Sequence, residues 1–294
     1  MNLRRIFLLP AALVTVLLFL VPMAIVVAFS LMTRGPYGGQ GLPWTFENYR
    51  RFLDPLYGEI LLRSFGIAAE TTVLCLILAF PLAWFISRSG DRRGLYLQLV
   101  MLPFWTSFLV RTYAWVFLLR DTGLFNLILQ TLGIITQPLP LLYNHGAVLV
   151  GLVYCSLPLA VLPIYSTLER LDYSLVEAAA DLGARPLESF FKVVVPLSAP
   201  GLRAAAFLVF VPSLGTYLTS DLLGGGSSIL IGNLVQNQFT TARDWPFGAA
   251  ASLILMAIVL AGMWIATRKN EDILRRFAPS PSTRRPSTHS SICR

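Results

Sequence analysis

Groups able to do chemistry are scarce in this chain, and that scarcity limits its function. Of 294 residues only 13% are charged, about half the share usual in a soluble protein. Two histidines, His145 and His289, and three cysteines, Cys75, Cys155 and Cys293, are too few for a zinc cluster or a disulfide framework. No metal site is expected. Lys192 and Lys269 are the only lysines, and neither closes a Gly-x-x-x-x-Gly-Lys run, so a phosphate-binding loop is excluded. No catalytic residue is expected either, because no acid–base or metal constellation lies within the apolar stretches.

Within those stretches Glu70 and Arg111 stand out. Glu70 falls about ten residues into an apolar run, roughly 15 Å deep at 1.5 Å per helical residue. A carboxylate there costs on the order of 2–3 kcal/mol and needs a partner or a wet path. Arg111 lies about eight residues from the outer end of the next run, roughly 12 Å deep. Two readings stand: a structural Glu70–Arg111 ion pair, or a Glu70 that helps to carry a cation. Asp221 and Asp244 flank the last outer loop, as solvated acids and helix caps or as acids that meet an ammonium group. Trp105, Tyr113, Trp115 and Tyr154 offer faces for cation–π contacts or for an interfacial aromatic belt. Arg203, near the inner end of a run, is expected to snorkel to the interface.

The elements holding these residues follow from hydropathy. With 55% hydrophobic residues and a mean hydropathy of +0.67, the solvent must be partly lipid. Six apolar spans are long enough for a bilayer core of about 30 Å, at about 6–31, 60–87, 95–119, 146–168, 197–219 and 247–267. The first is too long for a signal-peptide core and lacks a small-x-small cleavage site, so it reads as a retained helix. The expected class is all-α, a polytopic membrane protein with six transmembrane helices, in a permease domain of residues 1–268. Residues 269–294 form a Ser/Pro/Arg-rich cytoplasmic tail expected to be disordered. The Gly/Pro-rich segment after the first span is expected to begin as irregular loop, and the run 124–132 as a short interfacial helix.

Charge sets the orientation. With the N-terminus inside, the inner segments hold 15 Lys and Arg and the outer ones six, so both termini are cytoplasmic. The formal net charge of +8 then divides into +7 on the inner face, where anionic lipid attracts it, −1 outside and two arginines within spans. No nucleic-acid partner is needed to explain it.

The cytoplasmic segment 169–196 carries the strongest pattern. Ser174 and Glu177 have capping-box spacing, Gly183 suits a helix stop, and Pro186 suits the first turn of a second helix bearing Phe190 and Phe191. This is a helical hairpin with a small-residue face at Ala178, Ala179 and Ala180, able to serve as a docking surface or as a stable loop.

The run Glu177-Ala178-Ala179-x-x-x-Gly183, followed by Phe190 and Pro196 and set between the fourth and fifth spans, resembles the EAA motif of permease subunits in bacterial binding-protein-dependent ABC importers. Asp181-Leu182 precedes the glycine, a variant that keeps the frame. Asn48-Tyr49, Asp54-Pro55-Leu56-Tyr57, Pro103-Phe104-Trp105-Thr106, Arg111-x-Tyr113, Ser220-Asp221-Leu222 and Arg243-Asp244-Trp245-Pro246 resemble the permeases of spermidine/putrescine importers.

The resemblance implies a type I ABC importer permease fold in the bacterial inner membrane. It implies a second permease subunit, two ATP-binding subunits and an external substrate-binding protein as partners. ATP and magnesium would be bound by the ATP-binding subunits, and no cofactor by this chain. Glu177, Ala178, Ala179, Asp181, Gly183, Phe190 and Pro196 would couple it to ATP hydrolysis. A polyamine would pass residues such as Glu70, Asp221, Asp244, Trp105, Tyr113 and Tyr154. The alternatives are another small cationic or amino-acid-derived solute, or a stand-alone secondary transporter, whose inverted repeat is not visible in the sequence.

Overall fold

A computed structural model describes residues 3–227 and 229–277. The chain divides into two units, Met1–Ala251 and Ser252–Arg294.

The first unit opens with α1 (Leu3–Ser30), a 28-residue apolar helix. The expected irregular loop after it is instead an antiparallel hairpin, β1 (Met32–Arg34) and β2 (Gln40–Trp44). Its turn uses Gly38 and Gly39 at positive φ, which is why a glycine-rich stretch folds here as a ribbon. Then come α2 (Glu47–Phe52) and the 33-residue α3 (Pro55–Ser87). Asp54 caps α3 by accepting a bond from the Leu56 N–H at 3.0 Å, with Pro55 at the first helical position. The helix thus starts before the expected residue 60. At 1.5 Å per residue it is about 50 Å long, well beyond a bilayer core of about 30 Å.

The third expected span is broken. It comprises α4 (Arg93–Met101), a 3-10 turn Leu102–Trp105, and α5 (Phe108–Leu119). The pieces Gly90–Trp105 and Phe108–Thr131 are bent by 87°. Pro103 removes a backbone donor, and Thr106 is extended at ψ 151°. A hydropathy run cannot distinguish this from a straight helix. The outer run forms α6 (Leu124–Thr131) as expected, and α7 (His145–Glu169) is a full span.

The hairpin of residues 169–196 contains α8 (Ser174–Asp181) and α9 (Pro186–Ser189), continued by a π-helical turn, Phe190–Val194, and by α10 (Val195–Leu197). A bend of 66° separates it from α11 (Ala199–Gly215). The fifth span also ends early. Thr216 is extended, and α12 (Leu218–Gly224) and α13 (Ile231–Phe239) follow as short outer helices. The last helix, α14 (Trp245–Phe277), begins in the first unit and continues through the described part of the second. It runs past the expected end at residue 267, so 269–277 is helical; the rest of the expected disordered tail, with Cys293 and His289, lies outside the described residues.

The core of the first unit joins α3, α7 and α11. Cys75, Ala79, Ala83 and Ile86 of α3 recur every three or four residues, and meet Val161, Ile164 and Leu168 of α7 and Ala205 and Val209 of α11. Lipid tails are as apolar as these side chains. Association therefore depends on close packing, which small residues such as Ala79, Ala83 and Ala205 permit.

Candidate coupling hairpin and substrate path

The hairpin is built by local capping. The Ser174 N–H donates to Asp172 Oδ1 at 3.0 Å, so Asp172, and not the expected Ser174, caps α8. Bonds from the Ser174 hydroxyl and N–H hold the Asp172 carboxyl below its ordinary pKa. At the other end Gly183 has φ +87°. Its N–H bonds Ala180 O at 2.9 Å and the Ala184 N–H bonds Ala179 O at 3.0 Å, the two bonds of a Schellman stop. Glu188 accepts from the Arg185 N–H at 3.1 Å, and that bond, with Lys192 nearby, lowers its pKa.

One face of the hairpin is anchored. The Phe190 ring meets Phe80 and Trp84 of α3 edge-on, at 5.4 and 5.8 Å. Arg88 lies over both Trp84 and Tyr173, and Arg93 pairs with Glu169 at 2.8 Å. Apolar side chains are also left open: Leu182 is 90% exposed and Leu187 72%, with Leu175 and Phe191 exposed beside them, and Leu187 borders a cavity shared with Trp84, Arg88 and Phe190. Glu177, Ala178, Asp181 and Pro196 are exposed as well, and Ala179 half-buried. Phe190 is thus the link to α3, while Leu182 and Leu187 are left exposed at the turn. In the sequence Leu182 marks only a variant of the motif, and Leu187 carries no signal beyond its place beside the Gly183–Pro186 turn.

The outer residues separate. The Glu70 carboxylate lies 2.6 Å from His145 Nε2, so the expected Glu70–Arg111 pair is not formed. His145 is the first residue of α7, so Glu70 is level with the outer start of that span and not midway across. The depth count failed because α3 projects beyond α7 at its outer end. Arg111 is 8% exposed, and its Nε and Nη1 have no hydrogen-bond partner. It lies over Phe104 and Phe108 instead, carried there by the broken third span.

Asp244 is 3% exposed. Its Oδ2 accepts from Arg51 Nη1 at 2.8 Å and its Oδ1 from the Phe247 N–H at 3.3 Å. It is a buried cap of α14, the first of the two readings its position in the sequence allows. Partial burial works against the charge on Arg51, but bonds to Asp244 and Tyr57 outweigh it and raise the guanidinium pKa. Asp221 is exposed on α12 and lines a cavity of about 740 Å³ with Tyr57, Asn233, Gln236 and Asn237. Trp105 is 82% exposed and Tyr113 43%, and Tyr154 packs edge-on against Trp115 at 5.6 Å. Geometry therefore brings together Glu70 with His145, and Asp221 with the amides of α13, but not the whole expected set.

Residues 3–273 match the family described as "Binding-protein-dependent transport system inner membrane component". The chain belongs to this family. Among relatives of this transport component, the spermidine/putrescine transport system permease protein PotB of Escherichia coli (strain K12) is 42% identical over 257 residues, covering 86% of this chain and 94% of its own length. The protein of that name from Haemophilus influenzae is 38% identical over 258 residues, covering 87% and 90%. A crystal structure of a bacterial alginate ABC transporter, in complex with alginate pentasaccharide-bound periplasmic protein, includes a chain with a TM-score of 0.71 and 16% identity, covering 92% of this chain and 96% of its own. That likeness supports the type I permease fold. As a permease component the chain is a multi-pass inner-membrane protein that moves a solute and performs no bond chemistry of its own.

Proposed function

We propose that this permease passes polyamines, spermidine or putrescine, into the cytoplasm. It would act with a second permease, two ATP-binding subunits that hold ATP and magnesium, and an external binding protein. The observation that carries the coupling half of this reading is the hairpin 169–196. Its Leu182 and Leu187 are exposed at the turn, an apolar surface that a soluble partner would cover. Its Phe190 is packed on Phe80 and Trp84 of α3, so displacement of the turn would be passed into the core helices. Closure of the ATP-binding subunits would then bias which side of the pathway is open. Support for the cargo comes from the relatives named for spermidine/putrescine transport and from an outer side with slightly more acid than base.

The test is uptake by the assembled transporter in proteoliposomes with its binding protein and internal ATP. ATP-dependent accumulation of labelled spermidine or putrescine supports the reading. No polyamine uptake, with uptake of another small cationic solute, would replace the cargo and keep the coupling role.

A further inference from the structure

The cavity beside Asp221 has a composition that selects a ligand class. It lies among the first turns of α3, the end of α12 and the face of α13. Asn233, Gln236 and Asn237 share one helical face at i, i+3 and i+4. Asn233 is spent on structure: its Nδ2 donates to Tyr217 O at 3.0 Å, holding the break before α12, and its Oδ1 accepts from the Leu230 N–H at 3.3 Å. Gln236 and Asn237 keep their side-chain amides unengaged among the described residues. Asp221 enters no ion pair there.

Among the described residues no Lys, Arg or His lines the wall. The nearby Arg51, bonded to Tyr57, is already neutralised by Asp244. The whole of α13 is free of charged side chains, and its cavity side offers the amides of Asn233, Gln236 and Asn237 beside Leu234. A multivalent metal ion is a poor match, since no group of three His, Cys, Asp or Glu side chains is gathered among the described residues and such ions seek several charged oxygens. A primary ammonium fits better: three N–H donors can meet one carboxylate and two amide oxygens. Leu56, Ile60 and Leu234 add an apolar strip on which a methylene chain can lie. The volume of about 740 Å³ is in the range of small-molecule sites.

We propose that this cavity receives the ammonium end of an alkylamine on its way into the pathway, with Asp221 as counter-ion and Gln236 and Asn237 as neutral acceptors. The cargo it implies rests on the polyamine reading above, but the cation preference of the cavity can be measured apart from it. In the assembled transporter carrying Cys293→Ser, a thiol is placed in the wall by Asn237→Cys and, separately, by Thr241→Cys. Modification by 2-aminoethyl methanethiosulfonate is compared with 2-sulfonatoethyl methanethiosulfonate, each normalised to a free thiol in solution. A carboxylate within a few ångströms should favour the cationic reagent by about tenfold or more, Asp221→Asn should abolish that preference, and spermidine should slow the reaction. Equal normalised rates at both positions, or no modification at either, overturn the inference even where spermidine uptake is normal. A cation preference with no spermidine protection and no polyamine uptake supports the ammonium site and overturns the polyamine cargo.

Discussion

Glu70 and His145 are joined at 2.6 Å across α3 and α7, with side chains 50% and 53% exposed. A pair so open contributes at most about 1 kcal/mol to stability, so its position matters more than its strength. It holds a carboxylate at the outer mouth of the packed helices, where an arriving cation could exchange for the imidazole.

The first prediction separates pair from path. Glu70→Gln should lower polyamine uptake about tenfold, while His145→Gln leaves uptake within about twofold and both proteins assemble normally. Half-saturating substrate concentrations in proteoliposomes check this. Equal losses in the two variants would show that Glu70 matters only as a partner for His145.

The hairpin of residues 169–196 depends on a backbone conformation. A Cβ at Gly183 would meet nothing within 4 Å, yet φ is +87°, a region that costs an ordinary L-residue about 1–2 kcal/mol. Gly183→Val should therefore unravel the Schellman stop, displace Leu182 and reduce uptake about tenfold or more, with the protein still in the membrane. Gly183→Asn, which tolerates this region, should restore much of the loss. ATP hydrolysis measured beside uptake should show that coupling falls before hydrolysis does. Wild-type uptake by Gly183→Val would remove the hairpin from the mechanism.

How much of this was legible in the sequence depends on which force fixed each feature. The four unbroken spans were legible because lipid demands length and hydropathy together, and the helices satisfy both. The hairpin was legible because Gly183 and Pro186 have local consequences for the backbone. The breaks at Thr106 and Thr216 were not, since apolar composition is the same on either side of a bend. The partner of Glu70 was not legible either: it required the axial offset of α3 against α7, which packing sets. For Asp244 the sequence leaves the helix-cap and path readings side by side, and only the fold shows Arg51 reaching it.

Asp244 should behave as a structural residue. Removing this carboxylate leaves the buried Phe247 N–H unsatisfied, at about 1–3 kcal/mol, while the half-exposed Arg51 keeps Tyr57 and water as partners. Asp244→Ala should lower the thermal midpoint of the detergent-extracted transporter and the amount assembled, with little change in half-saturating substrate for the fraction that survives. Asp244→Asn should be milder, because its side-chain oxygen can still accept from the Phe247 N–H. A raised half-saturating concentration in a fully stable Asp244→Asn protein would return this residue to the substrate path.

Close approach of α7 and α11 supplies a test of the packing itself. A Cβ on Gly201 would lie 2.4 Å from Thr167 Oγ1 and 2.7 Å from the Pro163 carbonyl oxygen. The threonine can rotate, but the carbonyl belongs to the helix backbone and cannot. Gly215, at the other end of the same α11, would add a Cβ into open space. Gly201→Ala should therefore force the helices apart at a cost of about 1–3 kcal/mol, visible as a lower thermal midpoint and poorer assembly. Gly215→Ala should change neither. Helix propensity favours alanine over glycine inside a helix, so a loss at Gly201 runs against propensity and reports the contact between the two helices. If both variants were equally stable, α7 and α11 would have to be looser in the membrane than the interlocked Gly201–Pro163 contact allows.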